Sequence, residues 1–493
     1  MLACSGPPGK QAAVASIYDT VAFDDGAQLV ARHCTGCHLL PSPDLADAYT
    51  WEHHILPKMG PLLGVRSDGF RRYPDERSPE NNHLFPPAPV LTPAEWRRLV
   101  SYFVHTAPVG PLPTPDRLRP RQALPHFTPH TGPPDLRGPI ATLVQFVPGG
   151  FLLGDGAART LSFIGLGSDS SRILLRGVVP SAWRDMGAGS GYLLDMGTRD
   201  PSDARRGRLL RLYPDGRTDT LLRHLPRPVH AAYLDRVGDT AVVVSGFGNY
   251  LGELTYYPSA ASPQVLLGQA GATRCEVIDL DRDGQPELLC LMAQGDEGIF
   301  RFDQQPDGTW TPQRLLRFPP VYGSSYFETA WFAGDSLPSL LVTQGDNGDY
   351  PPIVKPYHGI RIFRADATGQ YHERQFIPLP GATKVLARDF DLDGDLDLAA
   401  IAYFPDYATR PAQGFVYLQN QGGERFRAFT LPEAEAGKWS TLDAGDPDGD
   451  GDTDLILGNS MVLAGRDPDY MTQRWRLGTP RYLYLENTIR NLR

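Results

Sequence analysis

Asp389-Phe390-Asp391-Leu392-Asp393-Gly394-Asp395-Leu396-Asp397 runs straight into the apolar stretch Leu398 to Ile401, and two further segments repeat the arrangement. Asp279-Leu280-Asp281-Arg282-Asp283-Gly284-Gln285-Pro286-Glu287 precedes Leu288 to Met292. Asp446-Pro447-Asp448-Gly449-Asp450-Gly451-Asp452-Thr453-Asp454 precedes Leu455 to Leu457. Each segment places carboxylates at positions 1, 3, 5 and 9 and glycine at position 6. A tight turn of this pattern wraps oxygen ligands around Ca2+, with position 7 (Gln285, Asp395, Asp452) giving its backbone carbonyl. The glycine is needed because the chain reverses there at positive φ. The candidate calcium ligands are therefore Asp279, Asp281, Asp283, Gln285 and Glu287, then Asp389, Asp391, Asp393, Asp395 and Asp397, then Asp446, Asp448, Asp450, Asp452 and Asp454, for up to three ions. Strands flank these turns, not the helices of an EF-hand, so the ions are expected to fix hairpin geometry and not to catalyse.

Weaker copies stand at Asp235-Arg236-Val237-Gly238-Asp239 and Gly334-Asp335-Ser336, again ahead of apolar runs. They have lost too many carboxylates to hold an ion well. Starts at 235, 279, 335, 389 and 446 lie about 44 to 57 residues apart, the period of a propeller blade. Residues 140–493 then accommodate about seven blades. A four-stranded blade buries its faces only against neighbours, so the ring must close, with terminal strands completing one blade. Composition agrees: 51 Gly and 47 Pro in 493 residues favour short strands and tight turns over long helices. A net charge of −10 argues against nucleic acid as a partner. No apolar run is long enough to span a bilayer.

Five cysteines are too few to staple a chain of this size, so they are read for chemistry first. Cys34-Thr35-Gly36-Cys37-His38 is the C-x-x-C-H signature of covalent haem c attachment. Two thioethers must reach two vinyl groups of one porphyrin, and the adjacent imidazole must face the iron. Within residues 18–108, Met59 is the candidate sixth ligand; His33, His53, His54, His83, His105 and an open site are the alternatives. Asp24-Asp25-Gly26 opens a helical segment into the motif, and a second helical segment runs from Tyr49 through Leu56. Thr92-Pro93-Ala94-Glu95 is an N-cap signal ahead of Trp96, Leu99, Val100 and Phe103, one face of an amphipathic helix. That order is the layout of a class I cytochrome c. The expected fold is thus multidomain: a tether over 1–17, a small all-α cytochrome c domain over 18–108, a Pro-rich linker over 109–139, and an all-β propeller of seven blades over 140–493. Haem c is attached outside the cytoplasm, so the chain is expected to be exported, to the periplasm or outer surface. Leu2-Ala3-Cys4 looks like the end of a lipoprotein signal, which would make a lipid on Cys4 the one membrane contact.

The acidic segments followed by apolar strands resemble the FG-GAP/VCBS repeat of integrin-α-type propellers. Together with Ser245-Gly246-Phe247-Gly248-Asn249, Gln294-Gly295-Asp296-Glu297-Gly298, Pro319 to Ser325, Gly345 to Tyr350 and Lys355 to Ile360, the chain resembles bacterial proteins that fuse an N-terminal class I cytochrome c to such a propeller. The resemblance implies haem binding, calcium binding and export, and no defined reaction. Cys275 and Cys290 flank the first acidic turn symmetrically; paired and free thiols are both open. The loops Gly345–Tyr350 and Lys355–His358 are candidates for ligand binding or docking, or plain turns. No phosphate-loop, nucleophile-elbow or His-Glu-x-x-His motif occurs, so an enzyme is not indicated. The expectation is an electron carrier with one haem, serving a redox partner such as a membrane respiratory complex. Alternatives are a surface propeller that binds a ligand or glycan with an accessory haem, and a propeller dehydrogenase passing electrons to its own haem.

Overall fold

The computed structural model describes residues 16–65, 84–116, 118–167, 171–236, 239–259, 261–348, 353–462 and 467–490. Cys4 and most of the tether, His83, Val237, Gly238, Asp349 and Tyr350 lie outside the described residues. The chain divides into two compact units, residues 1–78 with 82–112, and residues 79–81 with 113–493.

The second unit contains seven four-stranded antiparallel sheets, the blades of a propeller. The first strands of the blades are Ala141–Val147, Pro180–Asp185, Pro228–Arg236, Ala272–Ile278, Ser324–Ala330, Ala382–Arg388 and Trp439–Gly445. They are innermost, each touching the first strand of the next blade, and the seventh touches the first. The second strands carry the apolar runs. Glu287–Met292, Asp397–Ala402 and Asp454–Asn459 are buried at every residue, because neighbouring blades cover both faces. A run apolar on both faces suits a central strand, and each acidic turn is the hairpin that leads into one.

The seventh blade closes the ring. Its strands in order are Trp439–Gly445, Asp454–Asn459, Tyr482–Asn487 and, outermost, Phe127–Thr131. The last comes from the stretch that composition assigns to the linker over 109–139. Phe-Thr-Pro-His-Thr has no apolar alternation to announce a strand, and only Phe127 is buried.

The first unit corrects the expected fold class. No separate small all-α cytochrome c domain is evident among the described residues, and the chain is an almost all-β seven-bladed propeller with short helices. Gly26–Cys34 and Pro93–Thr106 are the unbroken α-helices of more than two turns among the described residues of this unit. Between them, Ala48–Thr50, Trp51–Ile55 and Leu56–Met59 run on without a break as one helical stretch with a π-helical middle, and Pro43 and Pro61 open the single 3-10 turns that flank it. The Thr92/Glu95 capping box is present as the sequence predicts. Gly26 lets the two helices meet: a Cβ there would lie 2.2 Å from the Tyr102 Cβ. Amphipathic periodicity located the helices, but it did not carry enough elements for the all-α domain.

A repeated hydroxyl stitches the blades together. Ser or Thr occupies the second position of six inner strands (Thr142, Ser181, Thr273, Ser325, Thr383, Ser440), with Val229 in the other. A register shift falls at this position in each. The bulge aims Ser181 Oγ at the Pro228 carbonyl (3.0 Å), Ser325 Oγ at that of Ala382 (3.4 Å) and Ser440 Oγ at that of Ala141 (3.0 Å), each in the next blade. The last of these joins the seventh blade to the first. Ser440→Ala is expected to cost about 1 kcal/mol, read as a lower urea midpoint with an unchanged slope.

Candidate functional site

The C-x-x-C-H motif straddles a helix end. Helix Gly26–Cys34 stops at Cys34, and the Cys37 N–H donates weakly back to the Cys34 carbonyl (3.4 Å). The two thiols are not bonded to each other; Cys34 is half-buried and Cys37 exposed. Burial, and secondarily the neighbouring Cys37, pushes the Cys34 thiol up to about 11. That is the reverse of the depressed thiol of a C-x-x-C redox pair. His38 Nδ1 lies 2.8 Å from the Leu39 carbonyl oxygen. A carbonyl can only accept, so Nδ1 is the donor and Nε2 is the ring nitrogen that can face a metal, the arrangement of a metal-ligating histidine. Met59, half-buried, ends the short helix Leu56–Met59. Trp51 is buried against Phe103 at 4.2 Å and donates to the Pro43 carbonyl, consistent with packing and not chemistry.

The three acidic turns join first to second strands in blades four, six and seven, so all leave the same edge of the ring. Carboxylate oxygens of Asp279, Asp281 and Glu287, of Asp389, Asp391 and Asp393, and of Asp446, Asp448 and Asp450 lie within 4.8 Å of one another in each set. Gly284, Gly394 and Gly451 have φ of 86°, 97° and 89°, as position 6 requires. At position 9, Asp397 and Asp454 engage the third strand. Asp397 accepts from Asn420 N (2.7 Å) and Tyr417 Oη (2.6 Å), Asp454 from Asn487 N (2.7 Å) and Tyr484 Oη (2.8 Å). Tyr417-Leu418-Gln419-Asn420 and Tyr484-Leu485-Glu486-Asn487 are the sequence signal of this clamp, which pattern reading did not use. Asp283 sits outside its cluster and accepts from the Gln285 N–H (2.7 Å).

Charge divides the turns into two kinds. In blade four, Arg301 reaches Asp281 (2.6 Å) and Glu287 (3.6 Å) and so neutralises the turn from within. The weaker copies do likewise, Asp235 with Arg184 (2.5 Å) and Asp335 with Arg364 (3.0 Å). In blades six and seven no arginine or lysine forms an ion pair with Asp389, Asp393, Asp446, Asp448 or Asp450 among the described residues, although the Arg490 guanidinium lies beside Gly451 and lines a cavity with Asp389 and Asp393. The crowding shows in the carboxyls: burial first, then Asp391 and Asp393, raises Asp397 to about 7. Burial first, then Asp448 and Asp452, raises Asp454 to about 7. Asp395 and Asp452 each leave one buried carboxylate oxygen without a hydrogen-bond donor. Oxygen-only ligands, dense negative charge and orphaned carboxylate oxygens fit a hard divalent cation.

The loops at the other end of the second strands behave differently. Asn347, Lys355 and His358 are buried between the second and third strands of blade five, and Tyr357 stacks on Tyr322 at 4.8 Å. Glu297, in the equivalent loop of blade four, is buried and accepts from the Ser324 N–H (3.0 Å). Cys275 and Cys290, directly opposed on the first two strands of blade four, are joined as a buried disulfide.

No family model matches the chain, and no curated protein matches it. Among solved structures it is similar to the N-terminal domain of Nup159, with a TM-score of 0.43 and 11% identity over 76% of this chain and 98% of that one. It is also similar to a protein from Lactobacillus plantarum (TM-score 0.36, 13% identity, 65% of this chain and 87% of that one). A chain of a Nidogen/Laminin complex gives a TM-score of 0.34 at 12% identity, over 56% of this chain and 92% of that one. The seven sheets, not these distant likenesses, define the fold.

Burial lifts the Glu297 carboxyl from 4.5 to about 8. Between those values the folded chain keeps a proton that the unfolded chain has lost, so stability falls as pH rises through the window. Glu297→Gln is expected to flatten that slope, measured as urea midpoints at pH 5 and pH 8.

Proposed function

We propose that this chain is an exported electron carrier in which Cys34 and Cys37 hold one haem c. His38 and Met59 ligate its iron, and a calcium-stabilised propeller docks the redox partner. The observation that carries the reading is the His38 hydrogen bond beside two unpaired thiols. Nδ1 is committed to the Leu39 carbonyl, so Nε2 is the atom offered to a metal. Bound haem supplies a one-electron couple, and a thioether ligand raises its potential relative to a second histidine. Cys34 and Cys37 anchor the group, His38 orients by its bond to Leu39, and Met59 offers a soft donor without a proton. The buried Cys275–Cys290 disulfide supports an oxidising compartment, where haem c attachment also occurs.

Calcium belongs first to the turns of blades six and seven. There the carboxylates lack the internal arginine that blade four provides, so Arg301 is the intrinsic competitor for a third ion.

Exported with a working haem-attachment system, the chain is expected to gain the mass of one haem and a haem c spectrum, and Cys34→Ala/Cys37→Ala to lose both. Met59→His should lower the reduction potential. A wild-type chain that leaves such cells without haem overturns the reading. For calcium, calorimetry is expected to find two tight sites, with Arg301→Gln adding or strengthening a third.

A further inference from the structure

Two of the acidic turns converge on the strand pair that closes the ring. Asn487 ends the third strand of blade seven directly opposite Phe127, and it is only 1% exposed. Its N–H donates to Asp454 Oδ1 (2.7 Å). Its Nδ2 donates both to the Thr453 carbonyl in the turn of its own blade (3.1 Å) and to the Phe390 carbonyl in the turn of blade six (2.8 Å). One side-chain amide thus holds both turns.

Phe390 continues the connection. It is the second residue of turn 389–397 and fully buried, with ring centroids 6.0 Å from Phe127 and 6.0 Å from Tyr417. Tyr417 in turn holds Asp397. Just beyond the closing strand pair, Thr488 donates through N (2.7 Å) and Oγ1 (3.1 Å) to the His126 carbonyl. Phe127, Phe390, Tyr417 and Asn487 therefore unite both turns with both strands of the closure.

A separate observation marks an unpaired oxygen in turn 446–454, even though the Arg490 guanidinium lies beside Gly451. Asp452 is 3% exposed; its Oδ1 has no donor, and Oδ2 has a 3.5 Å contact from Arg490 N. A buried carboxylate oxygen without a donor is costly unless a cation or another group meets it.

We propose that cation binding in turns 389–397 and 446–454 is positively coupled through Asn487 and Phe390, and that the bound pair clamps the closing strand Phe127–Thr131. The proposal rests on the calcium reading above. An ion in either turn orders Asn487, and the second ion then meets a turn whose ordering is already complete. The coupling is reciprocal, as linkage requires. Because the same cluster seats Phe127, cation loss loosens the outer strand of blade seven before it affects blades two to four. Asn487 and Phe390 are positioning residues here, not ligands.

The test uses the full chain, Ca2+ alone as the probe, calorimetric titration and hydrogen exchange with and without chelator. Asp448→Asn, an exposed change in turn 446–454, is expected to weaken calcium binding at turn 389–397 about fivefold or more. Asn487→Ser, which removes the bridging amide, should abolish that cross-effect; the Asp448→Asn comparison stands even where Asn487→Ser folds poorly. Chelation should speed exchange at 127–131 and 482–488 more than at 287–292. If turn 389–397 binds with the same affinity in wild type and Asp448→Asn, or if exchange at the closing strands ignores chelation, the coupling is overturned and the calcium reading stands. If neither turn binds calcium, both are overturned.

Discussion

A blade of four strands has two apolar faces and can bury them only between two other blades. The fold therefore depends on joining chain segments more than three hundred residues apart, through the pairing of Phe127–Thr131 with Tyr482–Asn487. The outer strand brings little apolar surface of its own, since Phe127 alone is buried. Its hold is the backbone ladder, the aromatic contacts of Phe127 with Phe390 and Tyr417, and the Thr488–His126 bonds beyond it. Inside the ring, Ser440 makes the matching inner seam with Ala141. Closure of so long a loop is entropically expensive, which explains why several weak devices are concentrated there.

Charge organises one edge of the ring by the same economy. Carboxylates gathered on one turn repel one another unless a positive group meets them, and in three blades an arginine does so. Arg184, Arg301 and Arg364 serve the turns beginning near Asp235, Asp279 and Asp335. The turns of blades six and seven are the most acidic and have no such arginine for Asp389, Asp393, Asp446, Asp448 or Asp450 among the described residues. A cation there would replace an internal guanidinium, a compact charge with six to eight oxygen positions in place of a planar fork.

Legibility differed between the sites for physical reasons. The acidic turns and the strands after them were readable because each is local: nine residues set the turn, and a run apolar on both faces is a central strand. The Thr92/Glu95 capping box was readable on the same ground. The expected all-α domain is not evident among the described residues. Periodicity at Trp96, Leu99, Val100 and Phe103 located a helix, but three helical stretches joined by 3-10 turns do not amount to the separate small domain that the motif order suggested. The position-9 aspartates were legible as carboxylates; their engagement by Tyr and Asn of the third strand required knowing which strands pair.

By itself the sequence determined the hairpins, the blade period and the Cys-Thr-Gly-Cys-His turn, because each depends on neighbours within about ten residues, where spacing alone sets which groups face one another. Tertiary structure alone decided that a five-residue segment of the apparent linker completes the seventh blade, that Cys275 meets Cys290, and that arginines neutralise some acidic turns and not others. The added strand depends on adjacency across the ring, which at long separation leaves no local pattern in the chain; the cysteine bond and the arginine contacts lie within a blade or between neighbouring blades and depend on side-chain placement that spacing alone leaves open.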